Sequence, residues 1–171
     1  MFPGVIQLPR GRSRLHRTVD ALAHAWEDPI PRSSKKLGTI APVLTRAQAV
    51  ALAERYVGAY NDRDLDAMLA VQDENVVSYP TRFTGVASHR GHDGVRAWWE
   101  AMAADGRWYE VVIREIRQPD HDRVAILGAI YDHGELMSPW CVVIRVRNGL
   151  IIESRSYLSE RDLLEQLGLI G

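Results

Sequence analysis

Two tyrosines one helical turn apart, Tyr56 and Tyr60, close the amphipathic segment Arg55-Tyr56-Val57-Gly58-Ala59-Tyr60-Asn61. A phenol stays protonated at pH 7 and can donate to a carbonyl or epoxide oxygen, which suits the stabilisation of developing negative charge. The competing reading makes both tyrosines core residues whose hydroxyls bond to backbone. His89 and His92, with Asp93 beside them, have a spacing that invites a metal, but no convincing third ligand accompanies them. As a loop histidine near a cavity mouth, His89 would be a general base; otherwise both are exposed loop residues. Asp132, His133 and Glu135 fall where one extended segment ends and the next begins. Turned into a cavity, Asp132 would serve as acid or base; turned outward, all three are ordinary turn residues.

The aromatics Tyr79, Trp99, Trp108, Trp140 and Tyr157 fit a core that doubles as the lining of a pocket. Arg155 lies two residues before Tyr157, on the same face of a strand. A buried arginine needs an anionic partner. Arg155 is therefore a candidate binder of a carboxylate or enolate, with an ion pair to Glu153 or Asp132 as the alternative.

The elements that must carry these groups are readable from period and punctuation. Thr45 with Gln48 forms a capping box at the start of a helix running to about Asn61, whose apolar stripe includes Val50, Ala53, Val57 and Tyr60. Asp64 caps a shorter helix to about Gln72, and Val76–Tyr79 is a strand stopped by Pro80. Thr81–His92 reads as loop, and Asp93 as the cap of a helix to about Ala104 carrying Val95, Trp98, Trp99 and Met102. The period then turns extended over Trp108–Arg117, Val124–Tyr131, Leu136–Arg147 and Leu150–Tyr157. Pro139 implies an edge or a bulge near the start of its strand. Asn148-Gly149 signals a two-residue hairpin, and Ser159 caps a last helix that Gly168 stops. Three helices ahead of an antiparallel meander give an α+β fold, a curved sheet with helices packed on one face.

Residues 1–44 form an N-terminal extension whose stripe Leu15, Val19, Leu22 and Trp26 marks a short amphipathic helix, and residues 45–171 form the main domain. The 171 residues suit one core, and 46% apolar with 25% charged residues is an ordinary globular composition. Net charge is −1, but the extension holds seven basic and three acidic residues. Its arginines are scattered and carry no recognition motif, which argues against nucleic acid. No run approaches the roughly 18 apolar residues of a membrane span. Met1 to Leu8 is too short and broken for a secretory signal. Cys141 is the only cysteine, so no internal disulfide can form, and a cytoplasmic setting is expected.

With these elements in order, Arg55–Asp66 (RYVGAYNDRDLD), Val76–Pro80 (VVSYP), Gly91–Trp99 (GHDGVRAWW), Val142–Ile152 (VVIRVRNGLII) and Asp162–Leu169 (DLLEQLGL) resemble the nuclear transport factor 2-like superfamily. The likeness is to its SnoaL-like branch of polyketide cyclases and ketosteroid isomerases, over roughly residues 45–171. It implies a cone-shaped curved antiparallel sheet wrapped by three N-terminal helices, an apolar cavity at the mouth, and commonly a homodimer.

The resemblance also implies roles. The ketosteroid isomerase tyrosine falls on Tyr56, but the base position before the proline is Tyr79, and the second oxyanion donor falls near Val143. The cyclase aspartate position is Ser159. In limonene-epoxide-hydrolase-like relatives one acid matches Asp132, the paired arginine position is Ile130, and the second acid is Ser156, with Arg155 retained beside it. The expectation is acid/base chemistry without cofactor or metal on a small apolar oxygenated metabolite. Tyr56 would be the donor and Asp132 or His89 the base, with Tyr60, Tyr79, Trp99, Trp140, Arg155 and Tyr157 around the substrate. A non-catalytic ligand-binding or dimerisation module and an epoxide hydrolase are the alternatives.

Overall fold

A computed structural model describes residues 44–80, 88–106, 108–157 and 159–170. Residues 1–43 of the extension, with the stripe Leu15, Val19, Leu22 and Trp26, lie outside these residues. The order is α1 (Arg46–Asn61), α2 (Leu65–Ala70), β1 (Gln72–Tyr79), β2 (His89–Arg90), α3 (Gly91–Asp105), β3 (Glu110–Arg117), β4 (Arg123–Asp132), β5 (Glu135–Arg147), β6 (Leu150–Tyr157) and α4 (Glu160–Gln166). The fold is α+β, with a six-stranded curved but unclosed sheet ordered β2-β1-β6-β5-β4-β3. Among the described residues no helix is long and apolar enough to cross a membrane.

Local chemistry explains the element boundaries. The Thr45 hydroxyl accepts from the Gln48 amide at 3.2 Å while the Gln48 side chain accepts from the Thr45 amide at 2.9 Å, satisfying two donors at the start of α1. Arg63 turns the chain with a φ of 57°, and Asp64 accepts from the Ala67 amide at 2.8 Å to begin α2. The Asn61 side chain then reaches across 50 residues, accepting from the Val111 amide at 2.9 Å and donating to the Val111 carbonyl at 2.8 Å. One amide group thus pairs with the backbone of β3 as a neighbouring strand would, and ties the end of α1 to the sheet.

Two hairpins rest on left-handed turn residues. Asn148 and Gly149 have φ of 54° and 78°, and His133 and Gly134 have 48° and 85°, so each joins its strands with a tight turn that follows the sheet's twist. Side chains alternate across the strands. Val124, Ile126, Ile130, Trp140, Val142 and Ile144 face α1, α2 and α3 across the main core. Ala125, Leu127, Cys141 and Val143 form a second cluster with Leu163 and Leu164 of α4.

Three expectations need correction. Helices do not occupy one face alone, because α4 covers the other side of the sheet. The sheet is not wholly antiparallel, since β1 pairs with β6 in parallel. Helix α3 begins at Gly91 with Arg90 in the capping position and no side-chain cap bond, so Asp93 lies in its first turn; there its carboxylate still favours the helix dipole. The bulge expected near Pro139 is present: Pro139 pairs with Ala129 of β4, ahead of the β5–β6 pairing that begins at Cys141, and the register shift between Ile130 and Tyr131 lies beside it.

Candidate functional site

Strand alternation and helical spacing bring one set of polar groups together in a cavity of about 250 Å³ among the helices and the inner face of the sheet. Helix α1 contributes Tyr56 and Tyr60, β1 contributes Gln72 and Ser78, β2 contributes His89, α3 contributes Trp98, β5 contributes Trp140, and β6 contributes Ser154 and Ser156. Met102, Asp105 and Met137 also line it, with apolar residues such as Val57, Val95 and Ile130. Met137 is 54% exposed, which puts it at the mouth.

The Tyr56 hydroxyl is bonded to Ser154, and the Ser154 hydroxyl donates to Ser78 at 2.9 Å. Both serines are buried, so the three hydroxyls form a relay inside the protein. Burial raises the Tyr56 pKa, and the bond to Ser154 offsets only part of that. The phenol is therefore a neutral donor at any ordinary pH. Tyr60 is also raised by burial, and its ring meets Trp98 at 6.4 Å, Trp99 at 6.3 Å and Trp108 at 5.6 Å.

His89 stacks on Trp98 with ring centroids 5.4 Å apart and an interplanar angle of 17°. Burial lowers its pKa from 6.5 to about 4, so the imidazole is neutral at pH 7. Between those two values the unfolded chain takes up a proton that the folded protein refuses. Stability therefore falls as pH drops from 6.5 toward 4 and is insensitive to this group above 6.5. Discounted for partial exposure, the loss should be about 1 kcal/mol, or about 3 °C in Tm. Melting curves of wild type and His89→Gln across that window should diverge by this amount; parallel curves would refute the assignment.

Four of the nine expected site residues share this cavity: Tyr56, Tyr60, His89 and Trp140. Five take other positions. Trp99 is 7% exposed and packs edge-on against Trp108 at 5.0 Å as part of the core. Asp132 pairs with Glu135 across the hairpin, its carboxylate 3.7 Å from His133 and 42% exposed; the tight turn, not a cavity, sets its surroundings. On β6 the serines face inward, so Glu153, Arg155 and Tyr157 face outward. Arg155 lies over the Tyr79 ring at 4.2 Å and 3.9 Å from Glu153, which is the ion-pair alternative, and Tyr157 packs on the α4 cluster. His92 is not beside His89 as a ligand; its Nε2 lies 3.1 Å from the Gln72 carbonyl oxygen.

The cavity also holds groups that the sequence did not single out. The Gln72 Oε1, His89 Nδ1 and Trp98 Nε1 atoms are buried without a hydrogen-bond partner in the protein. Asp105, at the end of α3, is the one carboxylate among the described lining residues. Inward parity on the strands containing Val76 and Ser156 was the available signal for Ser78 and Ser154. Elsewhere, Asp120, His121 and Asp122 cluster in the β3–β4 turn, but Arg123 already holds Asp120 at 2.6 Å.

The fold is that of several solved structures. A SnoaL-like protein of unknown function from Burkholderia thailandensis superposes with a TM-score of 0.57 at 19% identity, covering 68% of this chain and 98% of that one. TerC, co-crystallised with polyporic acid, gives 0.56 at 15% identity over 71% of this chain and 98% of its own. A putative polyketide cyclase from Xanthomonas campestris gives 0.53 at 22% identity over 71% and 98%. At these identities the likeness establishes the fold. No curated protein matches the sequence. The SnoaL-like domain family matches Ala53 to Ser154, more than half the chain and nearly all of the cavity's framework, and the protein belongs to that family.

Proposed function

We propose that the protein is a cofactor-independent acid–base enzyme, of isomerase, lyase or cyclase type, acting on a small apolar oxygenated metabolite in this cavity. The observation that carries the reading is that a neutral Tyr56 phenol and a neutral His89 imidazole line the same cavity. On binding, Tyr56 turns its proton from Ser154 to the substrate's carbonyl oxygen, and the bond strengthens as that oxygen gains charge. His89 takes the proton from the adjacent carbon, giving an imidazolium beside an enolate, and returns it to a different atom. The attraction between those two charges offsets the low basicity of the buried imidazole. In this scheme His89 replaces Asp132, which sits in a hairpin turn. Named relatives add support, since one is called a putative polyketide cyclase and another was co-crystallised with polyporic acid.

The depressed basicity of His89 favours a second reading, a ligand-binding module without chemistry. Deuterium exchange separates the two. Enolisable ketones that raise the melting temperature are incubated with the protein in heavy water, and exchange at the acidic carbon is followed by NMR. Catalysis predicts exchange above background that His89→Gln lowers by about 100-fold or more. Binding with no exchange, or exchange indifferent to His89→Gln, refutes the enzyme reading.

A further inference from the structure

The unpartnered atoms of the cavity specify a ligand chemistry more closely than its walls do. Trp98 Nε1 can only donate, and Gln72 Oε1 can only accept. Neither has a partner in the protein, and a buried polar group left unpaired is costly. Neither can readily turn away. The Trp98 indole is stacked against His89 on one side and lies 6.4 Å from Tyr60 at an interplanar angle of 25°. Gln72 is 4% exposed, with its amide nitrogen 3.5 Å from the Met68 sulfur. The Tyr56 and Ser154 hydroxyls, by contrast, can serve as donor or acceptor and impose no such demand.

Charge and size narrow the class further. Among the described residues that line the cavity there is no lysine or arginine, and the one charged side chain is the Asp105 carboxylate. An anion buried among these residues would find no cation to offset its lost hydration. The 250 Å³ volume lies just below the roughly 300–1,000 Å³ usual for ligand pockets.

We propose that the cavity selects a neutral hydroxy-ketone of one or two rings, whose carbonyl accepts from Trp98 Nε1 and whose hydroxyl donates to Gln72 Oε1, and that it rejects carboxylates. This rests on the cavity being the substrate site of the function proposed above. It adds Trp98 and Gln72 as specificity-determining residues.

The test is a matched series measured by isothermal titration at pH 7: the three ring isomers of hydroxyacetophenone, the corresponding methoxyacetophenones, the ethylphenols and the hydroxybenzoates. The best hydroxyacetophenone should bind roughly 5-fold to 100-fold more tightly than its methyl ether and its ethylphenol counterpart, and the hydroxybenzoate should bind more weakly still. Trp98→Phe keeps the stacking and should lower only the advantage of the carbonyl, leaving the part that Tyr56 supplies. Gln72→Leu should abolish only the advantage of the free hydroxyl. A methyl ether or hydroxybenzoate that binds as well as the hydroxy-ketone would overturn the proposal. So would failure of every probe to bind the folded protein. Discrimination without deuterium exchange would leave this selectivity standing and remove catalysis, whereas exchange without discrimination would do the reverse.

Discussion

Tyr56→Phe is expected to lower deuterium exchange or turnover by about 100-fold to 1,000-fold, the usual effect of removing one oxyanion donor, while the protein stays folded. The substitution keeps the ring and removes only the hydroxyl. Ser154 loses one partner but still donates to Ser78 at 2.9 Å, so the stability loss should be about 1 kcal/mol. Ser154→Ala should fall between wild type and Tyr56→Phe, because it leaves the phenol in place and removes what orients it. Rates measured at saturating ligand, beside melting curves for both variants, decide the matter. A Tyr56→Phe enzyme with wild-type rates would remove the phenol from the mechanism.

Gly128→Ala should cost about 3 kcal/mol, the upper end of what overpacking does. Gly128 stands in β4 opposite Ile113 of β3 and Trp140 of β5. A Cβ there would lie 2.5 Å from the Val112 carbonyl oxygen and 3.4 Å from its carbon. Both are backbone atoms of the neighbouring strand, so relief requires β3 itself to move. The same carbonyl region is pinned by Arg114, whose guanidinium donates to the Gly128 oxygen at 3.1 Å, next to the register shift between Ile113 and Glu115. Gly58→Ala should have the opposite sign. A Cβ at Gly58 meets nothing within 4 Å, and alanine is favoured over glycine inside a helix by about 0.5–1 kcal/mol. Denaturant midpoints that moved in the same direction for both variants would contradict this account.

The legible parts of the molecule were those whose cause is local. Thr45, Asp64 and Ser159 cap their helices because a short side-chain oxygen reaches an amide three residues on. Asn148-Gly149 turns because both residues tolerate positive φ. Tyr56 was found because helical spacing carried it to the core-facing side of α1. What failed depended on register and on distant partners. A shift of one residue exchanges the two faces of a strand, and that alone separates Ser154 and Ser156 from Arg155 and Tyr157. Asp132 seemed a base because it ended a strand, but His133-Gly134 closes that end into a tight turn. Trp98 and Trp99 are neighbours in sequence and differ by about 100° around the helix; one lines the cavity and the other fills the core. Gln72 carried no local signal, since its meaning lies in the absence of a protein partner.

The position of β6 bears on how the molecule is assembled in time. It is the last strand in sequence, yet it lies in the middle of the sheet, between β1 and β5. Strands β3 to β6 can zip together as successive hairpins, each closing a short loop. Strand β1 must wait, because its parallel partner, joined at Val77 to Glu153 and Tyr79 to Arg155, is about 76 residues away. Long-range closure of this kind slows folding. The relay from Tyr56 through Ser154 to Ser78 crosses that same late seam. The cavity should therefore be the last part of the domain to form, and a refolding chain should recover its meander before it recovers any ligand affinity.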